Sequence, residues 1–488
     1  MYEAKIPKCM STQHPDNVHT PFFSENAEIG GEDEVKEAYY GFSHLGVDEQ
    51  MWDCEGKETD DFVVKKLLAN YGDFFKDNKI GKDLFLTMRV PNPAIEKAEA
   101  KILIETLESI PRSFDTSKLF YEEEQSPIFE VILPMTTSAD SLNRIYNYYR
   151  DFVVGKQKKS FKEEDLTIAE WIGDFKPDAI NVIPLLEDKE NMLAVYDITK
   201  KYLEDKDTEH QRIFLARSDP AMNYGNLSAI LLNKIALQKI NDLNEETSVD
   251  IYPILGAGSS PFRGNLTPFT VDRIIDDYPS VHTFTIQSAF KYDNPPKEVR
   301  DGVEYLQSRK TESPQKINIK RSLEIVERYS SEYRKHISQL VSVINDVARY
   351  VPGRRKRKLH TGLFGYSRDF EGTNLPRAIT FTASLYSIGL PPEILGLNAL
   401  EEKDLEYIRE VYVHFDDDLK TALEYFNKDS PFVPDELRKT LIELREEVDI
   451  NLEHKKVTDE IIERIRKENK VKISEFVQEA ANLRSFLG

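Results

Sequence analysis

The residues best equipped for chemistry in this chain are two carboxylates and a histidine. Glu187 follows the apolar run Ile180 to Leu186, and Asp219 follows the run Ile213 to Ala216 by way of Arg217 and Ser218. A hard divalent cation such as Mg²⁺ or Mn²⁺ takes oxygen ligands and commonly only one or two protein carboxylates, leaving positions for water and substrate. Each acid is also what the first turn of an ordinary helix favours. His14, in STQHPDN, precedes a proline and so lies where no helix continues; it is either a general base or a hydrogen-bonded structural residue. GAGSSPFRGN, ending at Asn265, has three glycines and two serines, a composition that lets backbone N–H groups approach an anion beside the fixed charge of Arg263. It matches neither the dinucleotide nor the P-loop spacing, so it is equally an ordinary turn.

These groups act together only if the fold gathers them. Short apolar or β-branched runs recur at Cys9 to Gln13, Gln50 to Cys54, Leu84 to Val90, Phe129 to Met135, Ile180 to Leu186, Ile213 to Ala216, Val249 to Leu255 and Val281 to Gln287. Segments with apolar residues at three- and four-residue spacing lie between them, which reads as helix alternating with strand. The third to seventh runs are near-continuously apolar, as parallel strands covered by helices require. The expected fold is therefore α/β, a (β/α)8 barrel over residues 1–290, whose polar strand ends share one rim. That rim collects His14, Asp53, Glu55, Arg89, Thr136, Thr137, Asp140, Glu187, Asp219, the GAGSSPFRGN loop and Gln287. After Asp219 a helix is expected from Tyr224.

Residues 291–488 read as a mainly helical extension packed on the barrel and completing one catalytic unit. Helices are expected over Arg321 to Tyr350, Leu375 to Ile388, Leu400 to Tyr412, Leu419 to Asn427, Asp435 to Asn451 and Thr458 to Leu487, with no strand among them. Pro352 to Asn374 is irregular and carries RRKRK, Arg354 to Lys358, which reads as a solvated face or an anion-binding loop.

The 488 residues carry 65 basic and 86 acidic side chains, a formal net charge of -21. That balance argues against a general binder of nucleic acid or anionic membranes, which needs a positive field. Two cysteines, Cys9 and Cys54, are too few for a disulfide framework and point to a reducing compartment. With no apolar stretch of membrane-spanning length and no apolar signal core in MYEAKIPKCM, a cytoplasmic protein is expected.

In their order along the chain these stretches resemble phosphoenolpyruvate carboxylase, most closely its short archaeal-type branch, in which STQHPDN is distinctive. STQHPDN is similar to TAHPTE of the larger bacterial and plant members, LTMRVPNP to the strand bearing LDIRQES, ILPMTTSADSL to VISMAKTPSDVL and VIPLLEDKENM to VVPLFETLDDL. LARSDPAMNYG resembles GYSDSNKDAG, GAGSSPFRGN resembles GRGGSVGRGG, TIQSAFKY resembles TEQGEVIRFKY and PRAITFTASLY resembles LRAIPWIFSWT. The resemblance covers nearly the whole chain. It implies carboxylation of phosphoenolpyruvate with bicarbonate to oxaloacetate and inorganic phosphate, in a cytoplasmic homotetramer that uses Mg²⁺ or Mn²⁺. It puts the metal on Glu187 and Asp219, the base on His14, and a cationic clamp on Arg89, Arg263, Arg368 and Arg377, with Gln287 beside the substrate. Two positions depart from the family pattern: Met222 stands where a lysine is usual and Ala257 where an arginine is usual. Their anion contacts are expected from Arg217 or RRKRK. The final glycine, Gly488, resembles the family's glycine end, although RSFLG differs from QNTG. A neighbouring reading is another metal-dependent barrel lyase of pyruvate or oxo acids; a more distant one is a catalytically silent barrel that binds an anionic metabolite or RNA.

Overall fold

A computed structural model describes residues 5–54, 60–97, 100–356, 368–370, 373–445 and 448–488. Eight parallel strands close into a barrel in sequence order: β1 (Cys9–Ser11), β2 (Glu49–Asp53), β3 (Phe85–Arg89), β4 (Glu130–Leu133), β5 (Asn181–Leu186), β6 (His210–Ala216), β7 (Asp250–Gly256) and β8 (Thr283–Ile286). The barrel shuts where β1 pairs with β8, Met10 opposite Thr285. Each strand lies within a few residues of its apolar run. Among the described residues no helix is long and apolar enough to cross a membrane.

The barrel interior is filled by layers of side chains from alternate strands, and the lowest layer is polar. Glu49, Glu130, Arg212 and Thr283, from β2, β4, β6 and β8, meet there. Arg212 donates to both oxygens of Glu49 at 2.7 and 2.6 Å, to Glu130 at 3.2 Å and to the Thr283 hydroxyl at 3.3 Å. Thr87 of β3 adds a hydroxyl to Glu49 at 2.5 Å. Burial pushes the Glu49 carboxyl up against the pull of Arg212; in Glu130 burial is outweighed by Arg212 and His210, and its carboxyl sits lower than usual. Above this layer lies an apolar plug that includes Met10, Met51, Ile132, Ile183, Phe214 and Ile254. β6 therefore begins at His210, earlier than its apolar run, because a charged residue belongs inside the barrel.

The helix after β6 starts at Ser218, not at Tyr224 as expected, and spans Ser218–Tyr224 before Asn226–Glu246 follows. Pro220 is tolerated in a first helical turn. Gly225, at φ 86°, separates the two helices; a Cβ there would stand 2.6 Å from the Tyr329 ring.

The chain beyond residue 291 is mainly helical, with four corrections to the expected elements. β9 (Arg368–Phe370) and β10 (Thr373–Leu375) form an antiparallel ribbon where no strand was expected. Leu375 belongs to that ribbon because Pro376 disfavours a helical residue before it, and the helix runs Ala378–Ser387. The expected helix Thr458 to Leu487 is two, Leu452–Arg466 and Ile473–Arg484, divided by left-handed residues at Glu468 and Lys472. Asn451, expected to end the preceding helix, instead caps the next one by accepting from His454 N.

Contacts between the barrel and the extension include a tyrosine hydrogen bond and a backbone strap. Tyr333, in the helix Ile319–Ala348, donates to the Met222 carbonyl at 3.0 Å. Downstream, residues 352–356 form a strap: Ile29 N donates to Arg354 O and Lys356 N to Ile29 O, both at 2.9 Å.

Candidate active site

The C-terminal mouth of the barrel opens into a cavity of about 240 Å³. His14, Asp53, Arg89, Glu187, Asp219 and Arg263 reach it from the barrel, and Arg354, Arg355, Arg377 and Leu487 reach it from the extension. Among the described residues, five arginines thus face three carboxylates. In a chain of net charge -21 this is a local well of positive potential for small anions.

Each group is held by its strand end. Arg89, the last residue of β3, makes a two-point pair with Asp53, the last of β2, with Nε–Oδ1 2.9 Å and Nη2–Oδ2 2.8 Å. Asp53 N donates to Gln13 Oε1 at 3.0 Å, which ties this pair to the loop carrying His14. His14 Nδ1 lies 3.1 Å from Thr12 Oγ1, and the Thr12 hydroxyl donates to Ile286 O at 3.4 Å. With Nδ1 held to the threonine, Nε2 is the ring nitrogen left to exchange a proton with a ligand in the cavity. Glu187 Oε2 accepts from Met135 N at 2.6 Å, with Met135 at a left-handed φ of 49°. That backbone strain at the end of β4 aims an N–H at a candidate metal ligand. The Ser218 hydroxyl donates to Asp219 Oδ2 at 3.3 Å.

The donor set fits a hard divalent cation. Glu187 and Asp219 stand at the ends of adjacent strands, line the same cavity and offer only oxygen, whereas Cys9 and Cys54 are buried outside that lining. Among the described residues no group of three His, Cys, Asp or Glu side chains is arranged to hold a metal. Two carboxylates would leave the remaining positions to water and substrate.

Several expected rim residues are elsewhere. Gln287 is not in the cavity lining; its Oε1 is taken by Arg263 Nη2. Thr136 turns back to Leu133 O at 2.8 Å, Asp140 pairs on the surface with Lys201 at 3.0 Å, and Thr137 is not in the lining. Glu55, the Arg368 side chain, and Arg357 and Lys358 of RRKRK lie outside the described residues. Arg217 does not supply the missing anion contact: it is buried and lines a separate cavity of about 10 Å³ beside Asp277 and Asp418. Met222 and Ala257 belong to the apolar core.

Arg354 and Arg355 overturn the reading of RRKRK as a solvated face, since both are buried. Arg355 Nη1 donates to Glu37 Oε2 at 2.6 Å, and Lys291 Nζ reaches the same carboxylate at 3.1 Å. Burial opposes ionisation of Glu37, but Arg355 and Lys291 hold its carboxyl well below the usual range. Arg354 donates to the carbonyls of Asn17 and Val18 at 3.1 and 2.9 Å. The strap thus forms a wall of the cavity. Asp16, buried behind Arg263, was missed as well; its place two residues after His14 was the only signal.

A closed parallel barrel with an imidazole, two carboxylates and guanidinium groups gathered at its C-terminal mouth belongs to the (β/α)8-barrel enzymes of small anionic substrates. The family model described as phosphoenolpyruvate carboxylase matches residues 6–488. The chain is 57% identical over 485 residues to the protein named phosphoenolpyruvate carboxylase from Methanothermobacter thermautotrophicus, covering 99% of this chain and 100% of that one. It is 56% identical over 484 residues to the one from Methanospirillum hungatei, with the same coverage, and 48% identical over 490 residues to the one from Halobacterium salinarum, covering 99% of each. The chain belongs to the phosphoenolpyruvate carboxylase family.

Proposed function

We propose that this cavity carboxylates phosphoenolpyruvate with bicarbonate, releasing oxaloacetate and inorganic phosphate. The observation that carries the reading is the convergence of His14, Glu187, Asp219, Arg89, Arg263 and Arg377 on one cavity. Bicarbonate must attack the phosphorus of an anionic ester, so the charge of both reactants has to be offset, which Arg89, Arg263 and Arg377 do from three sides, with Arg368 in the same role. Breaking the phosphorus–enol oxygen bond gives carboxyphosphate and the enolate of pyruvate. His14 takes the carboxyphosphate proton, phosphate departs, and the CO₂ released meets the enolate carbon. When held by Glu187 and Asp219, Mg²⁺ or Mn²⁺ supplies Lewis-acid stabilisation of developing negative charge. The walls contributed by Arg354, Arg355, Arg377 and Leu487 exclude the water that would protonate the enolate. For this reason residues 1–290 and 291–488 work as one catalytic unit. Oxaloacetate formation from phosphoenolpyruvate, measured with and without bicarbonate, tests the reading; bicarbonate-independent turnover overturns it. The working molecule is read as a cytoplasmic homotetramer, which light scattering of the purified protein checks for its oligomeric part.

Two substitutions test parts of the site. Asp219→Ala is expected to raise the Mg²⁺ concentration for half-maximal rate by about tenfold or more; an unchanged titration removes it from the ligand pair. A Cβ on Gly258 would stand 2.8 Å from Gln287 Oε1 and 3.1 Å from Arg263 Cζ. These are side-chain ends that can yield, so Gly258→Ala is expected to change stability by about 1 kcal/mol or less. Because Gln287 Oε1 must shift and it holds Arg263 Nη2, kcat/KM for phosphoenolpyruvate should fall about tenfold. A melting curve and steady-state kinetics on the same sample separate the two effects.

A further inference from the structure

We propose that Asp16 is the positioning residue of Arg263, fixing the guanidinium at the cavity wall while leaving its N–H groups available to an anionic substrate. The inference rests on the carboxylation reading of the cavity. Asp16 is fully buried and belongs to no helix or strand. Its Oδ1 accepts from Ala289 N at 2.7 Å, and its Oδ2 accepts from Ser259 N at 3.4 Å and lies 3.6 Å from Arg263 Nη1. Its backbone N donates to His14 O at 3.1 Å and its carbonyl accepts from Leu487 N at 2.7 Å. One residue thus joins the His14 loop, the glycine-rich loop, the short helix Ser288–Tyr292 after β8 and the 487–488 segment.

Two other buried arginines show a contrasting arrangement. Arg212 with Glu49 and Arg355 with Glu37 are two-point pairs in which the carboxylate takes up two guanidinium nitrogens. Such a pair is stable but leaves few donors for a ligand. Asp16 is different: its oxygens are taken by backbone N–H groups, and it faces Arg263 across a gap longer than a hydrogen bond. The charge is balanced without its donors being consumed. Arg263 Nη1 and Nη2 are oriented by Gly488 O, at 3.0 Å, and by Gln287 Oε1, while Nε has no hydrogen-bond partner among the described residues. A guanidinium that lines the cavity and is not locked in a two-point carboxylate pair is a receptor for a phosphate or carboxylate oxygen. Burial raises the Asp16 carboxyl and the Arg263 charge opposes that rise, so the two groups support each other's ionised forms.

Asp16→Asn keeps the size and the acceptor for Ala289 N but removes the charge facing Arg263. It is expected to fold with a melting temperature within a few degrees of wild type and to lose at least tenfold in kcat/KM for phosphoenolpyruvate. The deciding measurement is a double-mutant cycle with Arg263→Lys, which keeps the charge and loses the planar fork. If Asp16 acts through Arg263, adding Asp16→Asn to Arg263→Lys should lower kcat/KM by less than about twofold. Losses that multiply, or an Asp16→Asn enzyme within twofold of wild type, overturn the proposal. Should Asp16→Asn not fold, Asp16→Ser, which still offers an acceptor to Ala289 N, carries the same cycle; if neither folds, Asp16 is structural and the proposal falls. The wild-type assay keeps the two claims apart. Without bicarbonate-dependent oxaloacetate in wild type the carboxylation reading falls, whereas the Asp16–Arg263 coupling is still read from the calorimetric dissociation constant of phosphoenolpyruvate.

Discussion

Replacing His14 with asparagine is expected to lower oxaloacetate formation about 10²–10⁴-fold, the range of a positioned general base, while bicarbonate-dependent release of phosphate from phosphoenolpyruvate continues. The asparagine amide can fill the imidazole's place against Thr12 Oγ1, 3.1 Å away in the native enzyme. It cannot accept a proton near neutral pH. In the proposed reaction, attack of bicarbonate on phosphorus depends on the arginines and on Glu187 and Asp219, the carboxylates proposed to hold the metal, none of which the substitution touches. Carboxyphosphate therefore still forms, but its loss of CO₂ is slow, and the enolate is protonated to pyruvate. Assaying phosphate, oxaloacetate and pyruvate together decides the matter: oxaloacetate at the wild-type rate would remove His14 as the base.

The second large effect lies at the opposite end of the barrel. Arg212→Met is expected to destabilise the fold by about 3–5 kcal/mol, because it leaves buried carboxylates without their counter-charge. Glu49 and Glu130, at 0% and 4% side-chain exposure, have no solvent to turn to. Their folded-state pKa values would rise above the unfolded ones. A group raised in this way contributes stability below its unfolded pKa and loses it as pH climbs through the folded value. The penalty should therefore be largest at neutral and alkaline pH and shrink on acidification. Replacing Arg212, Glu49 and Glu130 together with apolar residues of similar volume should recover most of the loss. Urea denaturation at two pH values measures both trends; an Arg212→Met midpoint equal to wild type would show that the layer is not stabilised by charge pairing. The folded fraction should keep its kcat, since these residues lie below the apolar plug and away from the cavity.

The barrel was legible because each strand is a short apolar run and each connection carries a helical period. Glu187, Asp219, His14, Arg89 and Arg263 were legible because polar residues that directly follow such runs must face the rim. The same logic failed where the chain turns immediately. Thr136 and Asp140 follow β4 just as Glu187 follows β5, yet the left-handed Met135 swings the strand end inward, so an N–H rather than a side chain meets Glu187. Gln287 faced the right way, but a neighbouring guanidinium occupies its amide oxygen, and a contact across separate loops has no local signature. Arg354 and Arg355 were hidden by composition: in a run of basic residues, those buried against Glu37 and the Asn17 carbonyl look no different from solvated ones. Arg212 and Glu130 were obscured by the rule that parallel strands are apolar, which describes the faces under the helices better than the floor of a barrel.

The strap and the 487–488 segment also set the order of events during synthesis. Gln478 donates to the carbonyl of Val18 across 460 residues of sequence, at 3.2 Å. At roughly 5–20 residues per second, a ribosome needs about 25–90 s to travel that distance. For most of that interval the His14 loop and Asp16 lack the walls that enclose them, and Arg263 joins them only in its second half. A nascent barrel can close its strands early, but on the proposed reading its cavity gains the walls that shield the enolate only when the distal helices dock. On the proposed reading, the cavity is enclosed only after Leu487 has been made.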